Sequence, residues 1–278
     1  MTVKIVADSS CDMTEEMRKE LGVEIVPLTL QIGDKIYTDD EHLDIQMYLK
    51  DMKEYAEAPK TSCPSPQQFM KAYEGKESVF VVTLSSALSG TYNSAVLAKN
   101  MFLEEVGEKF IHVFNSFSAC VGETLISFKI SDLAKKNINE WEIVEKVTKY
   151  IEEMKTFFLL ESLENLSKAG RLHPVIAKIA NVLSIKPIMG STDDGHIRLV
   201  HKARGYKRAF QKFIDTIGEE GTNLEEKVLG IAHCNCLNRA LDFKKEVQKR
   251  YNFKEIIIVE MAGLSSTYAN DGGLVIAF

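Results

Sequence analysis

With 278 residues, 45% hydrophobic and 27% charged, the chain has the balance of an ordinary globular protein and the length for two domains, which excludes wholesale disorder and fibrous repeats. Lys and Arg number 34 against 40 Asp and Glu, a formal charge of −6, so the general attraction that drives nucleic-acid binding is missing. Five scattered cysteines do not make a secreted disulfide framework, the N-terminus turns polar too early for an export signal, and no apolar stretch nears the ~20 residues of a membrane span. A cytoplasmic protein is expected.

In chain order, Val3 to Ala7, Val79 to Leu84 and Lys109 to Phe114 read as strands, and residues 14–21, 65–74, 88–103 and 119–137 as helices. That alternation predicts an α/β unit with a parallel sheet. Val23 to Thr38, with Gly33-Asp34 between apolar runs, is expected to form a small β insertion of hairpin type. A charged helix over 139–155 closes the first domain, 1–155. From residue 156 the spacing changes. Phe157 to Leu160, Ile185 to Met189, His196 to Val200, Val228 to Ala232, Glu255 to Val259 and Leu274 to Phe278 read as strands, with helices near 204–218 and 236–250, giving a mixed α/β domain over 156–278. With no linker between the halves, their junction is the first place to look for a ligand.

Phosphate-loop, dinucleotide-turn and zincin motifs are all absent. His233-Cys234-Asn235-Cys236 offers three soft ligands, but a closed zinc site ordinarily needs a second separated pair, so no metal is expected. Three hydroxyl-bearing segments each precede a helix. Thr61 and Ser62 stand ahead of Ser65, an N-cap followed by Pro66 and the capping-box Gln68. Ser85 to Tyr92, containing Ser89, Gly90 and Thr91, follows a strand, as does Asn115 to Cys120, containing Ser116. In a parallel sheet such loops gather at the carboxyl edge, where ligands bind. Each segment alone is turn chemistry, but together they suggest an uncharged edge able to hold a small carboxylate through hydroxyl and amide donors.

Four segments, Ile5 to Asp12, Thr61 to Pro66, Ser85 to Ala95 and Leu166 to Leu172, together resemble the DegV family of bacterial fatty-acid-binding proteins, which includes the acyl-binding subunits of fatty acid kinase. The likeness runs over nearly the whole chain. It implies two α/β domains enclosing a long-chain fatty acid in an apolar tunnel, with no cofactor besides that ligand. Thr61 or Ser62, with Ser89, would hold the carboxylate, while Gly90 and Thr91 shape the helix start. It also implies an ATP-binding kinase subunit as partner, which phosphorylates the bound acid, with Arg171 and Arg204 near the head-group opening, and transient contact with a membrane surface. One departure stands out: Tyr268 occupies the place of a histidine common near the end of family members. A phenol donates a hydrogen bond but cannot supply an imidazolium charge beside an acyl phosphate, which bears on kinase coupling more than on lipid binding.

Two other readings compete. A serine hydrolase would pair Ser89 or Ser86 with one of His42, His112, His173, His196, His201 and His233, although no nucleophile-elbow motif is present. A binding module for another amphipathic acid would share the same edge and tunnel.

Overall fold

The computed structural model describes residues 2–176 and 185–278. Its first unit is a parallel sheet. The chain enters on β1 (Val3–Asp8), turns through α1 (Glu15–Leu21), which Thr14 caps by accepting from Met17 N, and returns on β2 (Val23–Val26). β2 pairs in parallel with β1, Val23 against Ile5 and Val26 against Asp8. The predicted β insertion is therefore shorter at its start than the sequence reading: Val23–Val26 is an edge strand of the main sheet, its two valines buried against the core, and only the segment after it forms the hairpin.

That hairpin joins β3 (Thr29–Ile32) to β4 (Lys35–Thr38) through Gly33-Asp34. Helix α2 (Ile45–Glu54) and strand β5 (Lys60–Ser62) follow, and β5 adds to β3 to complete a three-stranded antiparallel sheet. The sequence reading missed both. Helix α2 carries a visible signal, apolar Ile45, Tyr48, Leu49 and Met52 at helical spacing behind the Asp44 cap. Strand β5 carries none, because three residues held only by backbone pairing leave no pattern to read.

Next come α3 (Pro66–Ala72), with the Ser65–Gln68 capping box formed as expected, β6 (Ser78–Thr83), α4 (Thr91–Glu105), β7 (Ile111–Asn115), α5 (Val121–Ala134) and α6 (Glu140–Glu153). The strand order is β2-β1-β6-β7. Connections leave β1 in both directions, so its carboxyl end beside that of β6 is the switch point at which such sheets bind ligands.

The second sheet is mixed, in the order β10-β9-β8-β13-β11-β12. Its strands are β8 (Thr156–Leu159), β9 (Ile185–Ser191), β10 (Ile197–Arg204), β11 (Val228–His233), β12 (Glu255–Glu260) and β13 (Leu274–Ala277). Short helix α7 (Glu164–Lys168) follows β8, while α8 (Tyr206–Glu220) and α9 (Leu237–Gln248) pack on the outer face. A further short helix, α10 (Gly263–Ala269), precedes β13. Buried helix α5 lies between the two sheets and belongs to the same hydrophobic core as both. No helix among the described residues is long and apolar enough to cross a membrane.

Candidate functional site

The loops at the carboxyl ends of the parallel strands face the inner side of the second sheet, and between them lies a cavity with about 900 Å³ of space free of protein atoms, its mouth included. Leu28, Leu84, Leu88 and Phe117 come from the first unit's loops, and Phe158, Leu160 and Val275 from the mixed sheet. These apolar walls meet a polar rim. Thr61 Oγ1 lies 2.8 Å from Tyr268 Oη, Ser89 Oγ lies 2.9 Å from Thr91 Oγ1, and Arg171 stands beside them.

Strand alternation explains the placement of Thr61. On β5 it faces inward to the rim while its neighbour Ser62 is exposed. Thr61 is thus fixed by sheet pairing, opposite Leu30 of β3, and not free in a loop ahead of a helix cap. Tyr268 reaches the rim from α10, a helix with no side-chain cap of its own: Ala262 N donates to Asp12 Oδ1 at 2.8 Å, and Gly263 N and Leu264 N donate to the two Asp39 oxygens at 2.7 and 2.8 Å. Both aspartates belong to the first unit. Thr267 Oγ1 adds a 2.6 Å contact to Tyr48 Oη, so α10 is tied across the junction along its length.

The turn between β9 and β10 closes another side. Ser85 Oγ donates to Gly195 O at 2.9 Å, and Gly195 has φ +81 in a spot where a Cβ would lie 2.1 Å from Ser85 Oγ. Only glycine fits there.

Of the residues singled out from the sequence, Thr61, Ser89, Arg171 and Tyr268 line the cavity, and so does His196 of the hydrolase reading. Gly90 starts α4 and faces the Cys63 sulfur. The buried Thr91 hydroxyl holds Ser89, and Ser116 Oγ is turned back into its own loop, accepting from Ser118 N and donating to Ser118 O, both at 3.0 Å. These residues, with exposed Ser62, stand outside the described lining because their groups are either spent on shaping loops or directed to solvent. Arg204 is also outside it, exposed at the far end of β10 from the Gly195 turn. Arg171 spends its guanidinium on backbone, donating through Nε to Leu88 O at 3.1 Å and through Nη1 to Ala169 O. Neither serine of the hydrolase reading is hydrogen-bonded to a histidine among the described residues: Ser89 meets Thr91, and Ser86 Oγ accepts from Asn115 Nδ2 at 2.7 Å. The His233 to Cys236 segment forms a turn in which Cys236 N donates to His233 Nδ1 at 3.4 Å.

Sequence reasoning named the segments that hold Ser10, Ser118 and Cys120 without assigning these residues to the lining, and missed Thr156 and Ser265. It also missed the carboxyl groups behind it. Burial pushes Asp8 up to about 7, against N–H bonds from Leu84 and Ser10, and Asp39 up to about 6. Asp12 and Glu123 are raised well above the carboxylate range, chiefly by burial.

A family model described as "Uncharacterised protein, DegV family" matches residues 2–278. The chain belongs to the DegV family. A Ruminococcus gnavus DegV family protein, whose crystal structure is refined with vaccenic acid, superposes with a TM-score of 0.96 at 45% identity, covering 100% of each chain. The Streptococcus pneumoniae fatty acid kinase (Fak) B3 protein loaded with linoleic acid gives 0.91 at 34% identity, over 100% of this chain and 99% of the other. A DegV domain-containing protein of Streptococcus pyogenes serotype M1 is 38% identical over 280 residues, 100% of this chain and 99% of its own length. The parallel sheet and the separate mixed sheet are the architecture of these DegV neighbours.

Proposed function

We propose that the protein binds one long-chain fatty acid in the junction cavity and presents its carboxyl group to an ATP-dependent kinase partner, performing no chemistry itself. The observation that carries this reading is the cavity: an apolar space between the two sheets with hydroxyl donors at its rim and Arg171 beside them. Burying a methylene contributes ~0.8 kcal/mol, so about a dozen give on the order of 10 kcal/mol before the costs of association, far above one head-group hydrogen bond. The tail supplies affinity and the rim fixes orientation.

In this reading residues 1–155 contribute most of the rim and 156–278 complete the tunnel. Thr61, Ser89 and Tyr268 hold the carboxylate, and Arg171 keeps the Ser85 to Ser89 loop in position through Leu88 O. Exposed Arg204 is left to meet the partner or the phosphate. No cofactor is required, and the protein works in the cytoplasm, touching the membrane surface only to collect or deliver its ligand. The vaccenic and linoleic acids of the two structural relatives support the ligand class, and the fatty acid kinase B3 protein supports the partner class.

The test is a coupled assay with an ATP-binding fatty acid kinase subunit, ATP and octadecenoic acid. Acyl phosphate should form only when this protein is present. Binding without acyl phosphate would confine the protein to lipid carriage, and failure of both would overturn the proposal.

A further inference from the structure

The cavity has two different ends. Thr156, Phe158 and Leu160 line it from one face of β8 and the residue after it, a wall of about 13 Å at ~3.3 Å per residue. A Cβ placed on Gly273 would lie 2.9 Å from Leu160 Cδ2 and 3.0 Å from Ala269 Cβ, so Leu160 neighbours the residue that follows Tyr268, and this end is the rim. At the other end Thr156 Oγ1 lies 2.7 Å from Ser118 Oγ, and the β9–β10 turn comes so close that a Cβ on Gly195 would lie 3.0 Å from Phe117 Cα. His196, the next residue of that turn, belongs to the lining while its side chain is 64% exposed, so water lies just beyond. Phe117 stands between: it lines the cavity and is itself only half-buried.

The backbone of Phe117 is costly to hold. Its φ is +50, on the left-handed side that large side chains rarely adopt. Bonds on both sides fix it there. Phe117 N donates to Asn115 Oδ1 at 3.2 Å, and Asn115 Nδ2 is anchored on Ser86 Oγ at 2.7 Å. The following residue, Ser118, donates through N to Ser116 Oγ at 3.0 Å and accepts from Ser85 N at 2.8 Å. A loop that had only to turn would be met by glycine or asparagine at this position. A phenyl ring kept there, with its backbone fixed from two loops and the cavity on one side, points to work done by the ring.

We propose that Phe117 is the end stop of the cavity: its ring meets the methyl end of the acyl chain and sets the longest acid that fits. The inference rests on the acyl-binding reading and narrows its ligand class by chain length. An acid held by its carboxylate at the Thr61 and Tyr268 rim runs along β8 towards Thr156. Each further methylene then has to find apolar space or push the ring aside, and the fixed backbone resists that movement. Removing the ring opens a passage between the Asn115 to Cys120 loop and the β9–β10 turn, through which a longer chain can extend. Head-group contacts are untouched, so the change is in selectivity among acids.

The experiment is a competition titration of delipidated wild type and Phe117→Gly with hexadecenoic, octadecenoic, eicosenoic, docosenoic and tetracosenoic acids. Wild-type affinity should rise with length to a limit and then fall, with tetracosenoic acid weaker than the best acid by at least about tenfold. In Phe117→Gly the ratio of tetracosenoic to octadecenoic affinity should rise by about tenfold. Glycine suits φ +50, so this variant keeps the loop, and Phe117→Leu, with a shorter apolar side chain, should give a smaller shift in the same direction. A purely structural role for Phe117 would lower all acids together and leave the ratio unchanged. That result, or wild-type affinity that does not fall with length, would overturn the inference while leaving the acyl reading intact. Failure of every acid to bind the wild type would overturn both.

Discussion

Along β8 and β13 neighbouring residues meet opposite surroundings. Phe157, Leu159, Leu274 and Ile276 point outward into a solid core with Phe213 of α8 and Phe243 of α9, whose rings stand 5.0 Å apart. Phe158, Leu160 and Val275 point the other way and border the cavity. The strands themselves are equally apolar on both faces, so what differs is the cover. The outer face receives two amphipathic helices carrying large side chains, whereas the inner face receives loop and helix ends made of Ala119, Ser118, Ser265 and Ala269. Gly190 sharpens the contrast: a Cβ there would lie 2.7 Å from the Phe157 ring, on the filled side, so at this position the strand gives the cavity backbone alone. Large covers make a core and small ones leave a binding space.

Adjacent substitutions on β13 break that comparison most strongly. Val275→Trp fills the space from within and should lower fatty-acid affinity by at least about a hundredfold with the far-ultraviolet spectrum retained, as read by titration. One residue on, Ile276→Ala empties part of the packed core and should cost about 2–5 kcal/mol in denaturant unfolding, with the affinity of the folded fraction unchanged. If Ile276→Ala impaired binding and Val275→Trp did not, the assignment of the two faces would be wrong.

The buried carboxyl groups give the next effect. Asp8 is fully enclosed and its folded pKa lies near 7, above an unfolded value of about 3.9. Its neutral form is favoured by the fold, so the associated stability is present in full below about pH 4 and is lost as pH rises towards 7; Asp39, raised to about 6, acts in the same direction. The two together amount to a few kcal/mol. The protein should melt at a higher temperature at pH 5 than at pH 7.5, and Asp8→Asn should flatten the difference. A wild-type midpoint that climbs over this interval would contradict the account.

The rim carries the smallest change. Tyr268→Phe removes the 2.8 Å contact with Thr61 and one head-group donor, and should weaken acyl binding by only about threefold to tenfold in the same titration.

How much of this was legible beforehand differs by region for physical reasons. Strands and helices with regular apolar spacing, and the Ser65 cap, are encoded locally and could be read. The three hydroxyl-bearing segments could also be read, and two of them supply the rim residues Thr61 and Ser89. What was hidden is held from a distance. Helix α10 is rich in Ser, Thr and Gly and has no cap in its own segment; its first amides are satisfied by Asp39 and Asp12, more than two hundred residues earlier. Strand β5 exists only because β3 pairs with it, and that pairing separates the roles of Thr61 and Ser62. The edge strand β2 looked like part of a hairpin because Val23 to Thr38 is continuously strand-like, and only its parallel partner β1 divides the run.

Organic extraction of the purified protein followed by mass spectrometry tests most directly whether the space between the sheets belongs to an acyl chain. The account predicts one long-chain acid per protein chain, retained through purification and lost in Val275→Trp. An extract without such an acid, from a protein that also fails to take up added octadecanoic or vaccenic acid, would contradict it.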